Sequence, residues 1–151
     1  MKIAIASDHA GYELKAKVKE FLETRTNHQI TDFGTNSPDS VDYPLYSYQV
    51  ARSVSRGENE RGMLICATGI GMTIAANKVK GIRATPCHDS FTATKSRSHN
   101  DSNVLVMGAQ IVDVETALEI VSIWLEEKFT GGRHERRVRE ITQIEEGTLD
   151  V

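Results

Sequence analysis

The strongest constraint on this chain's fold is a rhythm: short apolar runs alternate with amphipathic stretches from one end to the other. Ile3 to Ala6 reads as a buried strand, closed by Asp8-His9-Ala10-Gly11. Residues 12–25 read as a helix, with Leu14, Val18, Phe21 and Leu22 on one face and lysines and glutamates elsewhere. A weaker strand over 29–33 ends at Gly34, and Ser37-Pro38-Asp39 and Tyr43-Pro44 punctuate a loop before a helix over 45–55. The pattern then repeats: a strand over 63–66, a glycine turn and a helix through Asn77; a strand over 81–85 and a helix over 89–97; a strand over 103–108. Residues 114–129 form a strongly amphipathic stretch with Leu118, Val121, Trp124 and Leu125 inward; Gly131-Gly132 breaks it, and a last helix spans 134–146.

Strand–helix alternation of this kind implies a parallel sheet covered on both faces, and right-handed crossovers make it doubly wound. The 151 residues, 39% of them apolar, suffice for one core. The expectation is therefore a single α/β domain over 1–151, a three-layer αβα sandwich around a five-stranded parallel sheet. In such folds ligands sit beyond the carboxyl ends of the strands, near the switch in strand order. On that map Asp8-His9, Tyr43, Cys66 to Gly71 and His99-Asn100 are expected to converge on one crevice.

Composition removes several functions. A net charge of −3 gives no electrostatic support for nucleic acid or an anionic membrane surface as partner. No apolar run approaches the roughly 18 residues of a membrane span, and the N-terminus meets charge too early for a signal peptide. Cys66 and Cys87 read as free thiols of a cytoplasmic protein. With no C-x-x-C or H-x-x-x-H pair, no metal site is expected.

The sharpest chemical segment is Cys66-Ala67-Thr68-Gly69-Ile70-Gly71-Met72. A thiol ends a buried strand, and glycines lead into a helix whose first N–H groups can cradle an anion. The same field favours a thiolate, so the stretch can supply a base or nucleophile beside an oxyanion site. It is not a Walker loop, since no Gly-Lys-Ser/Thr follows, and not a dinucleotide fingerprint, since Ile74 stands at the third glycine. A cysteine phosphatase loop would put arginine where Met72 stands. The same spacing equally suits a buried cysteine and a tight turn.

Asp8-His9 can bind hydroxyls and phosphate or act as acid and base, although Asp8 also suits a plain helix N-cap. His99, just before the fifth strand, can shuttle a proton, or be a solvated loop residue. Arg133 and Arg137, four apart on one helical face, match a phosphate dianion; a solvated basic face is the plainer alternative. The double glycine before them allows that helix to swing from its own domain toward a neighbouring subunit. His28, His88 and His134 read as structural. A thiol, an anion cradle, an acid/base histidine and two arginines, without metal ligands, suit proton transfer on a small phosphorylated substrate.

Ser7-Asp8-His9-Ala10-Gly11, Asp42-Tyr43-Pro44, Cys66 to Gly71, Ala75-Ala76-Asn77-Lys78, Gly81-Ile82-Arg83-Ala84, Ser98-His99-Asn100-Asp101 and Gly131-Gly132-Arg133-His134 together resemble the type B ribose-5-phosphate isomerases, relatives of the galactose-6-phosphate isomerase subunits. The resemblance spans nearly the whole chain. It implies a Rossmann-like sandwich and a cytosolic, metal-independent aldose–ketose isomerase without cofactor, acting as a homodimer or a dimer of dimers. By that resemblance Cys66 is the base that moves a proton between carbons 2 and 1, and Thr68 assists transfer between the oxygens. The backbone from Ala67 through Gly69, Ile70 and Gly71 stabilises the enediolate. His99 opens the furanose ring, helped by Tyr43 or Asp8. Asp8 and Asn100 hold hydroxyls, and His9, Arg133 and Arg137 hold phosphate, partly across the dimer interface, where the helix over about 133–146 packs on the partner.

One branch of the family carries a catalytic glutamate where Met72 stands, which favours Cys66 here. Ala67 replaces a usual glycine and Gln110 a usual arginine, so the sugar is less defined than the reaction. Ribose 5-phosphate to ribulose 5-phosphate is the expected conversion. Allose 6-phosphate, galactose 6-phosphate or a tetrose phosphate are alternatives, as is a non-catalytic nucleotide- or flavin-binding sandwich.

Overall fold

Successive residues of each central strand are buried on opposite faces of the sheet, and that alternation of face builds two cores. The computed structural model describes residues 1–151. Strands β1 (Lys2–Ser7), β2 (Gln29–Asp32), β3 (Arg61–Cys66), β4 (Ala84–Pro86) and β5 (Val104–Gly108) form one parallel sheet in the order β2-β1-β3-β5-β4. Helices are α1 (Tyr12–Arg25), α2 (Tyr43–Ser55), α3 (Ile70–Ala76), α4 (Ser90–Ser98), α5 (Val114–Glu126) and α6 (Arg133–Glu146). On one face Ile3, Ile5, Met63, Ile65, Leu105 and Met107 pack under α1, α4 and α5, with Trp124 fully buried. On the other, Ala4, Ala6, Leu64, Cys66, Val104 and Val106 meet α2 and α3 through Val50, Ala51, Met72 and Ala76. Both faces of the three inner strands β1, β3 and β5 are dry, as their near-continuous apolar runs require.

Connections leave β1 toward β2 and leave β3 toward β4, on opposite sides. The strand order thus switches between β1 and β3, and the crevice above a switch point lies at their carboxyl ends, at Ser7 and Cys66. The expected three-layer αβα sandwich is the observed one.

Some element limits differ from the sequence expectation, for local reasons. Tyr43-Pro44 opens α2 rather than preceding it, because proline fits the first turn, where its missing N–H costs no bond. The predicted strand over 81–85 is shorter and later, Ala84–Pro86. α5 stops at Glu126, not at the double glycine, because Glu127 is already extended (ψ 136°). The N-cap of α1 is Gly11, not Asp8.

Candidate active site

The carboxyl end of β3 turns sharply at Gly69, whose φ of +82° is a left-handed value that favours glycine. The turn folds the chain back on Cys66: the Gly69 N–H donates to Cys66 Sγ at 3.2 Å. The thiol is 5% exposed. The Thr68 hydroxyl accepts the Ile70 N–H at 3.3 Å. Thr73 N–H is the first in α3 to find a backbone partner, Gly69 O at 3.1 Å; the Gly71 and Met72 N–H groups point from the helix start without one. Ala67 O and Cys66 O accept the Gln110 and Ala109 N–H groups at 2.9 and 2.8 Å, which ties the loop to the end of β5 and puts Gln110 behind Ala67. Met72 is fully buried in the core and offers no acid–base group to the loop.

Three other predicted residues join this loop. Asp8 N–H donates to Ile65 O at 3.2 Å, directly before Cys66. Asp8 Oδ1 accepts the Ala10 and Gly11 N–H groups, both at 3.0 Å, so one carboxylate oxygen shapes the turn. His9 Nδ1 accepts the Val41 N–H at 3.2 Å. A backbone N–H can only donate, so the Nε2 atom carries the proton in the neutral ring and is a donor. Tyr43, at the start of α2, lies over the glycine turn: a Cβ on Gly71 would sit 2.5 Å from Tyr43 Cζ and 2.8 Å from its hydroxyl.

His99, Asn100, Arg133 and Arg137 are elsewhere, and the expectation of one crevice within one chain fails for His99 and Asn100. His99 follows α4, not a strand, and caps that helix's C-terminus. It precedes β5, so it lies at the amino end of a sheet whose carboxyl end bears Cys66. Gly62 pairs with Val104 and Cys66 with Gly108; those four residues of strand span about 13 Å, before the further distance to His99. Arg83, at the same edge, donates to Asn100 O at 3.2 Å and Asp101 O at 3.0 Å. The hinge expected at Gly131-Gly132 does not release α6 from its own chain. Its head meets His99 by ring stacking, and its tail accepts the Gly81 N–H through Glu145 at 2.9 and 3.0 Å. None of its residues is buried, however.

The His99 ring is held below its ordinary pKa of 6.5, first by partial loss of solvation and then by Lys95, Arg133 and Arg137. It is therefore neutral at pH 7, the form that can accept a proton. Sequence reasoning missed what orients this edge. His134 was read as structural, and Asp101, bridging Arg83 and Arg97 at 3.2 and 2.9 Å, carried no periodic signal. No group of three or more His, Cys, Asp or Glu is arranged to hold a metal.

A glycine turn and a nearly buried thiol at the switch point make this a doubly wound α/β protein of the kind that binds ligands at the carboxyl ends of its strands. The model of the Ribose/Galactose Isomerase family matches residues 3–141. Ribose-5-phosphate isomerase B of Escherichia coli is 47% identical over 145 residues, 96% of this chain and 97% of that one. The solved ribose-5-phosphate isomerase B of Clostridium thermocellum superposes with a TM-score of 0.96 at 49% identity, covering 99% of this chain and 100% of the other. That of Mycoplasma genitalium, solved with bound ribulose 5-phosphate, gives 0.92 at 39% identity, with 96% of each chain covered. The chain belongs to the ribose/galactose isomerase family and is a sugar-phosphate isomerase.

Proposed function

We propose that this chain interconverts ribose 5-phosphate and ribulose 5-phosphate through an enediolate. The observation that carries the reading is the Cys66 thiol, nearly buried and 3.2 Å from Gly69 N, beside a helix start whose Gly71 and Met72 N–H groups have no backbone partner. His99 takes the proton of the C1 hydroxyl, the bond from C1 to the ring oxygen breaks as the C1 carbonyl forms, and that proton passes to the ring oxygen. The Cys66 thiolate then takes the proton from C2 of the aldehyde and returns it to C1. Thr68 passes a proton between the C2 and C1 oxygens, so the net change is an aldehyde at C1 exchanged for a ketone at C2. The negative charge of the intermediate lies against the backbone N–H groups around Gly71. Asp8 and Asn100 hold hydroxyls, with Tyr43 over the loop; His9 Nε2–H, Arg133 and Arg137 hold the phosphate.

The halves of this machinery occupy opposite ends of the strands of one sheet, so we place a working site between two copies of the chain. His99, Asn100, Arg133 and Arg137 of one copy would meet Cys66 and Asp8 of its twofold mate. Exposed apolar side chains support this: Leu45 and Tyr48 on α2, Ile70 and Ile74 on the adjoining α3, and Ile141 and Ile144 on α6. Residues 1–151 would form one domain, with α6 covered by the partner. The two free thiols suit the cytoplasm, and no helix is long and apolar enough to cross a membrane.

The test is the purified chain with ribose 5-phosphate in chelator, beside Cys66→Ala. Ribulose 5-phosphate formed by the first and not the second supports the reading. A folded protein without turnover refutes the pentose assignment and turns attention to Ala67 and Gln110. Equal turnover by both keeps the reaction and removes Cys66 as the base.

A further inference from the structure

His99 has a partner that the proposed chemistry leaves unused. Its ring and that of His134 are stacked, with centroids 3.9 Å apart and 13° between the planes. No hydrogen bond within the chain holds a ring nitrogen of either residue, so the stack is what sets the plane of His99. Independent anchors keep the stack in place. The Thr130 N–H and hydroxyl both donate to Ser98 O, at 3.1 and 2.7 Å, fixing the approach to α6 against the last turn of α4. At the other end of α6 Glu145 binds the Gly81 N–H, and Glu146 lies 3.7 Å from Lys80.

The surrounding charge acts in the same direction. Lys95 on α4 and Arg133 and Arg137 on α6 face both rings. Asp101, the acid next along the chain, is engaged by Arg83 and Arg97. Partial loss of solvation, followed for His134 by His99 itself and for both by these cations, pushes both imidazoles below 6.5. Two neutral rings stack without repulsion, whereas two charged ones would separate.

We propose that His134 is a positioning residue for ring opening: its imidazole, stacked on His99, fixes the plane in which His99 exchanges the proton between the anomeric and ring oxygens. The proposal rests on the reading that His99 opens the furanose, and it predicts a split between two steps of one reaction. Ribose 5-phosphate must be opened before proton transfer. Ribulose 5-phosphate cannot close a five-membered ring through its phosphorylated oxygen, so it enters open. Exchange of its C1 hydrogen with D2O, followed by NMR, therefore reports proton transfer without ring opening.

His134→Ala is expected to lower kcat on ribose 5-phosphate about 10-fold or more, the scale of a misaligned catalytic group, and to leave C1 exchange within about twofold of wild type. His134→Phe, which restores a flat ring, is expected to recover most of the loss. Equal losses in both assays, or no loss in either, would overturn the proposal, as would a Phe variant no better than Ala. His99→Asn run alongside separates the underlying reading. If it leaves ribose 5-phosphate turnover intact, His99 is not the ring opener, and both claims fall. If it slows turnover while His134→Ala does not, only the role of His134 falls.

Discussion

Gly69 donates its backbone N–H to Cys66 Sγ across 3.2 Å, three residues along a chain that has turned back on itself. The bond links the sulfur to the turn that starts α3, so the proposed base and the proposed anion cradle move as one unit. Cys66→Ser keeps an acceptor for Gly69 but replaces the thiol with a far weaker acid. Turnover of ribose 5-phosphate should fall by about 10²- to 10⁴-fold, the usual contribution of a positioned base, with the melting temperature close to wild type. Steady-state kinetics with calorimetry on the same samples checks both.

Gly108 closes the back of this loop. A Cβ there would lie 2.7 Å from Thr68 C and O, which are backbone atoms with no rotamer to change. Gly108→Ala should cost about 1–3 kcal/mol of stability, the range for overpacking. It should also cost about 10-fold or more in kcat, because the strain falls on the loop that carries the proposed base. Urea unfolding beside kinetics measures the two. Stability lost with kcat untouched would show that the loop absorbs the methyl group elsewhere.

A buried ion pair holds β2 to α1. Lys15 is 2% exposed and its Nζ lies 2.7 Å from Asp32 Oδ1, with Asn36 Oδ1 at 3.2 Å and Lys19 on the other carboxylate oxygen. Burial alone would push the Asp32 carboxyl up; hydrogen bonds from Lys15, Gly34 N–H and Lys19 outweigh it and hold it below 3.8. The sign follows directly. This stabilisation is complete above the unfolded value near 3.8 and is lost as pH falls through the lower folded value. Asp32→Asn strands a buried ammonium and should cost about 3–5 kcal/mol at pH 7. The gap between the two proteins should narrow below pH 4. Denaturant titrations at pH 7 and pH 3.5 would contradict this if the gap were the same at both.

Much of the fold was legible because it rests on apolar periodicity, which is local. The runs at Ile3 to Ala6 and Val104 to Gly108 could bury both faces only as inner strands. Less legible were features decided at long range. Lys15 reads as one more surface lysine of α1 until Asp32, 17 residues on, is seen to bind it. The Cys66 loop could be read because thiol, threonine and glycines are contiguous. The end of the sheet that bears His99 is also legible: in a parallel sheet a residue that follows a helix and precedes the next strand lies at the amino ends, and His99 follows α4 and precedes β5. The expectation of one crevice counted it with the loops that follow strands, which lie at the opposite end. His134 is hidden for a different reason. Stacking on His99 joins residues 35 apart in the chain, and no repeat or spacing marks such a pair.

The most direct test of the account is subunit complementation. Cys66→Ala and His99→Asn chains would be prepared separately, then mixed in equal amounts under conditions that allow exchange. If each site joins Cys66 of one copy to His99 of the other, half of the dimers are mixed, and each mixed dimer has one intact site. Two nearly inactive proteins should then yield roughly one quarter of wild-type turnover on ribose 5-phosphate. No recovery after demonstrated exchange would contradict a site shared between two copies and, with it, the assignment of Cys66 and His99 to one reaction.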